Sequence, residues 1–326
     1  LIDTATRIVT DGYEMRDTLK PDEHFTTAAR SWQPFTDFVT AAHNAGIKVI
    51  VDFAPNHSNV RGSGEDGALY ANGVLQATYT SNPSNFFFTG PNMGGSQWDS
   101  PYETQYYTIY DLSDLNQTNS TVDALLKNAV ANLQNHGVDG FRLDAAKHIF
   151  PTDRATDNHA FWIWFREEME KIKPDVYLVG EVWSKAEDVA PYLKGLPALF
   201  NFDMGYAITS VVKAGVDTIS LVSKYKEIND YYRSVTPDYI DATFLKNHDQ
   251  NRILSELDND EAKARVGVSI LFTLPGTPYV YYGEEIGMKG MKPDEFIREP
   301  FVWSAPGKDP MQTKWEEPKY SVSGAV

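Results

Sequence analysis

The sequence predicts an α/β protein whose parallel strands are covered by helices on both faces. Three observations carry this. A unit of amphipathic helix, glycine or proline stop, and short apolar strand recurs along the chain. Acidic and basic residues gather at the ends of four of those strands. The length, 326 residues, suits one α/β barrel.

Pro34 suits a helix start, and Phe35, Phe38, Val39 and Ala42 follow at helical spacing until Gly46. A strand run, Ile47 to Phe53, comes next. Val122, Leu125, Leu126, Ala129 and Leu133 repeat the pattern, stopped by Gly137 and followed by Val138 to Leu143. A third unit has Phe161, Trp164, Phe165 and Met169, a break at Pro174, and Val176 to Val182. Weaker units place strands at Leu199–Met204, Thr243–Asn247 and Pro278–Tyr282, giving six strands. Residues 57–120 lack helical periodicity and are rich in Gly, Asn, Ser, Tyr and Phe. So long an excursion reads as a small inserted domain, leaving 1–56 and 121–326 as the main body.

Composition narrows the function. Asp and Glu number 45 against 29 Lys and Arg, a net charge of −16 with no basic run, which argues against a nucleic-acid partner. The absence of cysteine excludes disulfides and thiolate chemistry. No run of about 18 apolar residues is present to span a membrane. The 17 Phe, 7 Trp and 18 Tyr supply rings that serve a core and equally suit stacking on sugar faces.

The strand ends carry the chemistry. They read Asp52-Phe53-Ala54-Pro55-Asn56-His57, Gly140-Phe141-Arg142-Leu143-Asp144, Gly180-Glu181-Val182-Trp183 and Asn247-His248-Asp249-Gln250. In a parallel barrel the carboxyl ends of the strands share one face, where catalysis sits. Arg142 and Asp144, two residues apart on a strand, point the same way, and the cation favours an ionised carboxylate. Glu181 lies on another strand, where a different environment suits acid duty. Two such carboxylates about 5–5.5 Å apart perform retaining glycoside hydrolysis. Asp249, beside His248, suits hydroxyl binding and support of a cationic transition state.

These four segments, in this order and spacing, resemble the signature regions of the α-amylase family, over a stretch from about Gly12 to Trp303. The resemblance implies a (β/α)8 barrel of the TIM type acting on α-linked glucans with retention, with the small domain inserted after strand 3. It implies Asp144 as nucleophile, Glu181 as general acid/base and Asp249 as transition-state stabiliser. It places Arg142, His57 and His248 around the sugar, Tyr13 stacked beneath it and Arg298 nearby. It also implies a calcium ion held by Asn56, Asp114 and the backbone carbonyls of about Gln105 and His148. Lys147 and His148 resemble the pair that meets the sugar beyond the cut in polymer-acting members, with Trp183 and Tyr110 as flanking rings.

The expected activity is endo-acting hydrolysis of α-1,4 bonds in starch and maltooligosaccharides. Two alternatives stay open. The run Tyr107-Thr108-Ile109-Tyr110-Asp111-Leu112-Ser113-Asp114 resembles cyclodextrin glucanotransferases, whereas Ile297 to Trp315 reads like bacterial α-amylases. An inactive glucan-binding fragment is the other. The chain opens where the family's second strand has ended, Asp11 stands where relatives have His, and the sequence stops after Tyr320-Ser321 without the last helix or C-terminal β-domain. The resemblance therefore implies truncation at both ends, with the first strands missing, and completion by further segments or a complementing chain. Starch is too large to enter a cell, so the expected location is extracellular or periplasmic, in a bacterium.

Overall fold

In the computed structural model, which describes residues 2–4, 12–26, 29–60, 65–88, 112–150, 154–304, 309 and 318–321, the chain divides into two units. One comprises Leu1–Val182 with Pro191–Ala198, the other Trp183–Ala190 with Leu199–Val326.

The first unit runs β1 (Ile2–Thr4), β2 (Met15–Pro21), α1 (Gln33–Asn44), β3 (Ile50–Phe53), β4 (His57–Val60), β5 (Leu69–Ala71), β6 (Val74–Ala77) and β7 (Leu112–Asp114). It continues through α2 (Ser120–Asn135), β8 (Gly140–Leu143), α3 (Ala155–Ile172) and β9 (Tyr177–Gly180). Strands β3, β8 and β9 are parallel with β8 in the middle, in the register Asp52 opposite Arg142 opposite Val179. All four residues of β8 are buried. Gly140 has no substitute there, because a Cβ would lie 2.2 Å from the Tyr177 carbonyl oxygen.

Helix α2 is capped by Asn119, whose side chain accepts from the Thr121 amide, and buries Val122, Leu126, Ala129, Val130 and Leu133. Helix α3 buries Phe161, Trp162, Phe165 and Met169. Each such large apolar side chain contributes about 1.5–3 kcal/mol.

The observed strands are shorter than the apolar runs, and the helix ends explain why. Gly46 and Gly137 take positive φ, and the next residue donates back to its helix: Ile47 N to Ala42 O at 2.9 Å and Val138 N to Leu133 O at 3.4 Å. The strands therefore begin at Ile50 and Gly140 rather than at Ile47 and Val138. Similarly, Val176 bonds back to Lys173, and β9 begins at Tyr177.

Residues 57–120 contain β4 to β7. Strands β4 and β7 pair antiparallel with His57 opposite Asp114. The hairpin β5–β6 joins β1 and β2 in a four-stranded sheet ordered β1-β2-β5-β6. Strands β1 and β2 were not signalled by the sequence pattern. Buried Asp17 on β2 accepts from the amides of Asn72 at 2.8 Å and Gly73 at 2.6 Å, which pins the hairpin tip.

Asp139, just before β8, ties α1, β3 and the end of α3 together. It accepts from Val49 N at 2.8 Å, His43 Nε2 at 2.7 Å, Lys48 Nζ at 3.0 Å and Lys173 Nζ at 3.3 Å. Burial works against its charge, but these donors outweigh burial and hold its carboxyl well below the usual carboxylate range. A depressed folded-state pKa stabilises the fold above the unfolded value near 3.9, and that contribution is lost as pH falls. Asp139→Asn is therefore expected to cost about 2–3 kcal/mol in urea unfolding at pH 7, and the gap from wild type is expected to narrow below about pH 4. A gap that did not change with pH would contradict the assignment.

The second unit contains α4 (Ala186–Val189), β10 (Ala198–Phe200, of which Leu199 and Phe200 belong here), α5 (Phe202–Ala214) and α6 (Leu221–Val235). It continues with β11 (Ile240–Phe244), α7 (Ile253–Glu256), α8 (Glu261–Thr273), β12 (Thr277–Tyr279) and α9 (Asp294–Ile297). The strand order is β10-β11-β12, and β11 and β12 are parallel. The expected strand Leu199–Met204 stops at Phe200 because Asn201 turns the chain into α5, its side-chain oxygen accepting from Met204 N. The run Thr243–Asn247 ends as strand at Phe244, since Asn247 forms a turn with Asp249 and Gln250. The run Pro278–Tyr282 ends at Tyr279, where the Tyr281–Glu284 turn begins.

Each unit leaves apolar side chains exposed: Phe38 and Ile47 beside β3 in the first, Phe272 and Val280 near β12 in the second.

Candidate active site

In the first unit a single guanidinium organises the strand ends. Arg142, only 8% exposed on β8, contacts Asp144 Oδ1 through Nη1 at 2.5 Å and Glu181 Oε2 through Nη2 at 2.9 Å. Nη1 also reaches Asp52 Oδ1 at 2.9 Å and the Tyr13 hydroxyl at 3.3 Å. The alternation of β8 places Arg142 and Asp144 on one side, and the register with β3 brings Asp52 opposite Arg142. Burial acts against the Arg142 cation, but Glu181, Asp52 and Asp144 outweigh it and raise its pKa, so it stays charged.

Backbone bonds fix both carboxylates. Asp144 N donates to Phe53 O at 3.0 Å and Glu181 N to Leu143 O at 2.9 Å. Ala146 N donates to Glu181 O at 3.0 Å, and the Trp162 indole closes the turn by donating to Ala146 O at 2.7 Å. Between them Ala145 has φ of 49°, a conformation that L side chains disfavour and that re-aims the chain directly after Asp144. The Asp144 and Glu181 side chains stay 14% and 11% exposed, so each is sheltered yet reachable.

Tyr13 donates to Asp52 Oδ2 at 2.5 Å, with its ring 5.7 Å from the Arg142 guanidinium carbon. Burial raises the phenol's pKa, so it remains a donor. His57 Nε2 lies 3.2 Å from the Tyr13 carbonyl oxygen. Lys147 and His148 follow Asp144 in a turn, partly exposed, with His148 N donating to Ala145 O at 2.8 Å.

Asn56 donates Nδ2 to Asp114 Oδ1 at 3.4 Å where β4 and β7 begin to pair. An amide oxygen and a carboxylate held together in a buried corner fit a hard cation that takes oxygen ligands. Among the described residues no cluster of three or more His, Cys, Asp or Glu stands ready for a metal, so carbonyl oxygens would have to complete such a set. Gln105 and Tyr110 lie outside the described residues.

The second unit holds its own cluster. Arg298 donates Nη2 to Asp249 Oδ1 at 2.9 Å and Nε to the His248 carbonyl at 3.0 Å, and it pairs with Asp294 at 3.2 Å. His248 Nε2 is 3.2 Å from Asp249 Oδ2. The residue after Arg298 anchors it: fully buried Glu299 accepts from the amides of Lys319, Tyr320 and Ser321 at 2.6–2.8 Å. Trp183 stacks on Phe202 with centroids 4.7 Å apart and planes 14° from parallel.

Sequence reasoning missed Asp52, Asp294 and Glu299 as site-shaping residues. Asp52 was visible in its motif, but its pairing with Arg142 comes from strand register, which the local sequence does not encode.

The family model described as alpha amylase, catalytic domain, matches residues 4–321. The chain is 36% identical over 298 residues to Alpha-amylase 3 of Dictyoglomus thermophilum, covering 90% of this chain and 58% of that protein. It is 34% identical over 294 residues to a cyclomaltodextrin glucanotransferase of Geobacillus stearothermophilus, covering 86% of this chain and 38% of that protein. The fold superposes on the crystal structure of the alpha-amylase from H. orenii with a TM-score of 0.80 at 36% identity, covering 98% of this chain and 65% of that one. The chain thus spans little more than half of the first relative's length, and less of the second's.

Proposed function

The chain belongs to the α-amylase family, and from that premise we propose that it is the catalytic part of a retaining, endo-acting α-amylase cleaving α-1,4-glucosidic bonds in starch and maltooligosaccharides. One observation carries the reading: Arg142 holds Asp144 and Glu181 on two arms of one guanidinium, so two carboxyl groups on neighbouring strands face the same space. Asp144 attacks the anomeric carbon as Glu181, which shares the Arg142 guanidinium with it rather than sitting in the separate environment expected from its strand, protonates the departing glycosidic oxygen. Glu181, now a carboxylate, takes a proton from water, which displaces Asp144 and restores the α-configuration. Asp249, oriented by Arg298, stabilises the positive charge that develops on the sugar ring. His57, His248 and Tyr13 bind the sugar at the cut, and Lys147 and His148 bind the next one.

Asn56, Asp114 and the His148 carbonyl would hold a calcium ion, which supplies a structural cross-link between the excursion after β3 and the strands. The main body, 1–56 with 121–326, and the inserted 57–120 are the domains of this reading. Export from a bacterial cell follows from the size of starch. Among the described residues no helix is long and apolar enough to cross a membrane.

Transglycosylation is the second reading. Similarity to the Geobacillus glucanotransferase and the exposed Trp183 ring, 39% accessible, favour it. Incubation of the full chain with soluble starch and calcium separates the readings by product chromatography. Linear maltooligosaccharides, lost on chelation, are expected. Cyclic products would make it a glucanotransferase, and starch binding without products would leave a glucan-binding protein.

A further inference from the structure

Shortly after Asp249 the second unit buries a guanidinium that the catalytic scheme does not use. Arg252 is fully buried. Its Nη1 donates to the Tyr282 carbonyl oxygen at 2.7 Å, while its Nε and Nη2, among the described residues, meet no acceptor in hydrogen-bonding geometry. Two aromatic rings take the place of acceptors. The guanidinium carbon lies over the Tyr281 ring, 4.4 Å from its centre, and over the Tyr282 ring, 4.7 Å from its centre. The two rings meet edge-on with centroids 4.7 Å apart.

Both phenols reach the segment that carries Arg298. The Tyr281 hydroxyl donates to the Ile297 carbonyl oxygen at 3.1 Å and the Tyr282 hydroxyl to the Glu299 carbonyl oxygen at 2.7 Å, one on each side of Arg298. Burial raises the pKa of both phenols, so both remain donors. Arg298 in turn donates to Asp249 Oδ1 and to the His248 carbonyl oxygen. A buried cation with so few hydrogen bonds is a poor device for stability alone, because an apolar side chain of similar volume often does as well. A planar cation that fixes two rings, whose hydroxyls fix the carbonyls flanking an active-site arginine, is a good device for placement.

We propose that Arg252, Tyr281 and Tyr282 are positioning residues that set where Arg298 holds Asp249. The assignment rests on the role of Asp249 in the α-amylase reading above. None of the three needs to touch the sugar, since they act through the backbone on either side of Arg298.

The test is steady-state kinetics of the full chain on soluble starch with calcium, beside thermal melts. Tyr281→Phe and Tyr282→Phe keep the rings that Arg252 lies on and lose only the hydroxyls. Each is expected to lower kcat about threefold, and the two together about tenfold, with KM within about twofold of the parent, because Asp249 acts in the transition state. Arg252→Met is expected to lower kcat about as far as the pair, and Arg252→Lys, which keeps a cation for the rings, less far. In an Arg298→Ala background the paired Phe changes are expected to lower kcat no further, a coupling that a general loosening of the fold would not produce. The Phe variants carry the test if Arg252→Met fails to fold. Parent-like kcat in the paired Phe variant, or the same tenfold fall on top of Arg298→Ala, overturns the assignment while leaving the α-amylase reading standing. A parent that turns over no starch overturns both.

Discussion

Replacing Asp144 with Ala or Glu181 with Gln is expected to lower starch hydrolysis by about 10⁴-fold or more while the protein stays folded. Either change removes one of the two groups on which both halves of the double displacement depend. The fold survives because Arg142 keeps partners in each case. In Asp144→Ala it retains Asp52 at 2.9 Å and Glu181 at 2.9 Å. In Glu181→Gln the amide keeps the side-chain shape and an oxygen that still accepts from the guanidinium. The measurement is initial rate on soluble starch alongside thermal melts. Substantial activity in both variants would remove the mechanism.

The second large effect belongs to Arg142. Arg142→Leu would remove the guanidinium that Asp144, Glu181 and Asp52 share, and breaking such a largely buried arrangement costs about 3–5 kcal/mol. Arg142→Lys keeps the charge but replaces a planar fork with a single point donor, which cannot hold carboxylates on three strands at once. The expected outcome is a clear loss of stability in Arg142→Leu, and in Arg142→Lys a milder loss with activity down about 10²-fold through misplacement. Unfolding midpoints and kcat measured on both variants decide it. An Arg142→Lys protein with near-native kcat would show that the fork is not what places the carboxylates.

Much of this was legible in the sequence because it is written locally. The apolar spacing of Val122 to Leu133 and Phe161 to Met169 marks the buried faces of α2 and α3, and Gly137 ends α2 at a positive φ that glycine adopts without strain. The neighbourhood of Arg142 and Asp144 follows from strand alternation alone. What stayed hidden is set by contacts between distant segments. Asp52 meets Arg142 through register, 90 residues apart. Glu299 reads as an ordinary charged residue until the amides of 319–321 close on it. Strand β2 was invisible because its burial comes from pairing with β1 and β5 rather than from an alternating pattern of its own.

The central claim is that Asp144 forms a covalent bond to the sugar while Glu181 handles the protons. The most direct measurement is mass spectrometry of the Glu181→Gln chain after incubation with α-maltosyl fluoride, whose leaving group needs no acid. Without the Glu181 base to activate water, the intermediate should accumulate. The account predicts a maltosyl adduct on the peptide carrying Asp144, absent when Asp144 is also replaced by Ala. Turnover of the fluoride with no adduct, or an adduct that persists without Asp144, would contradict it.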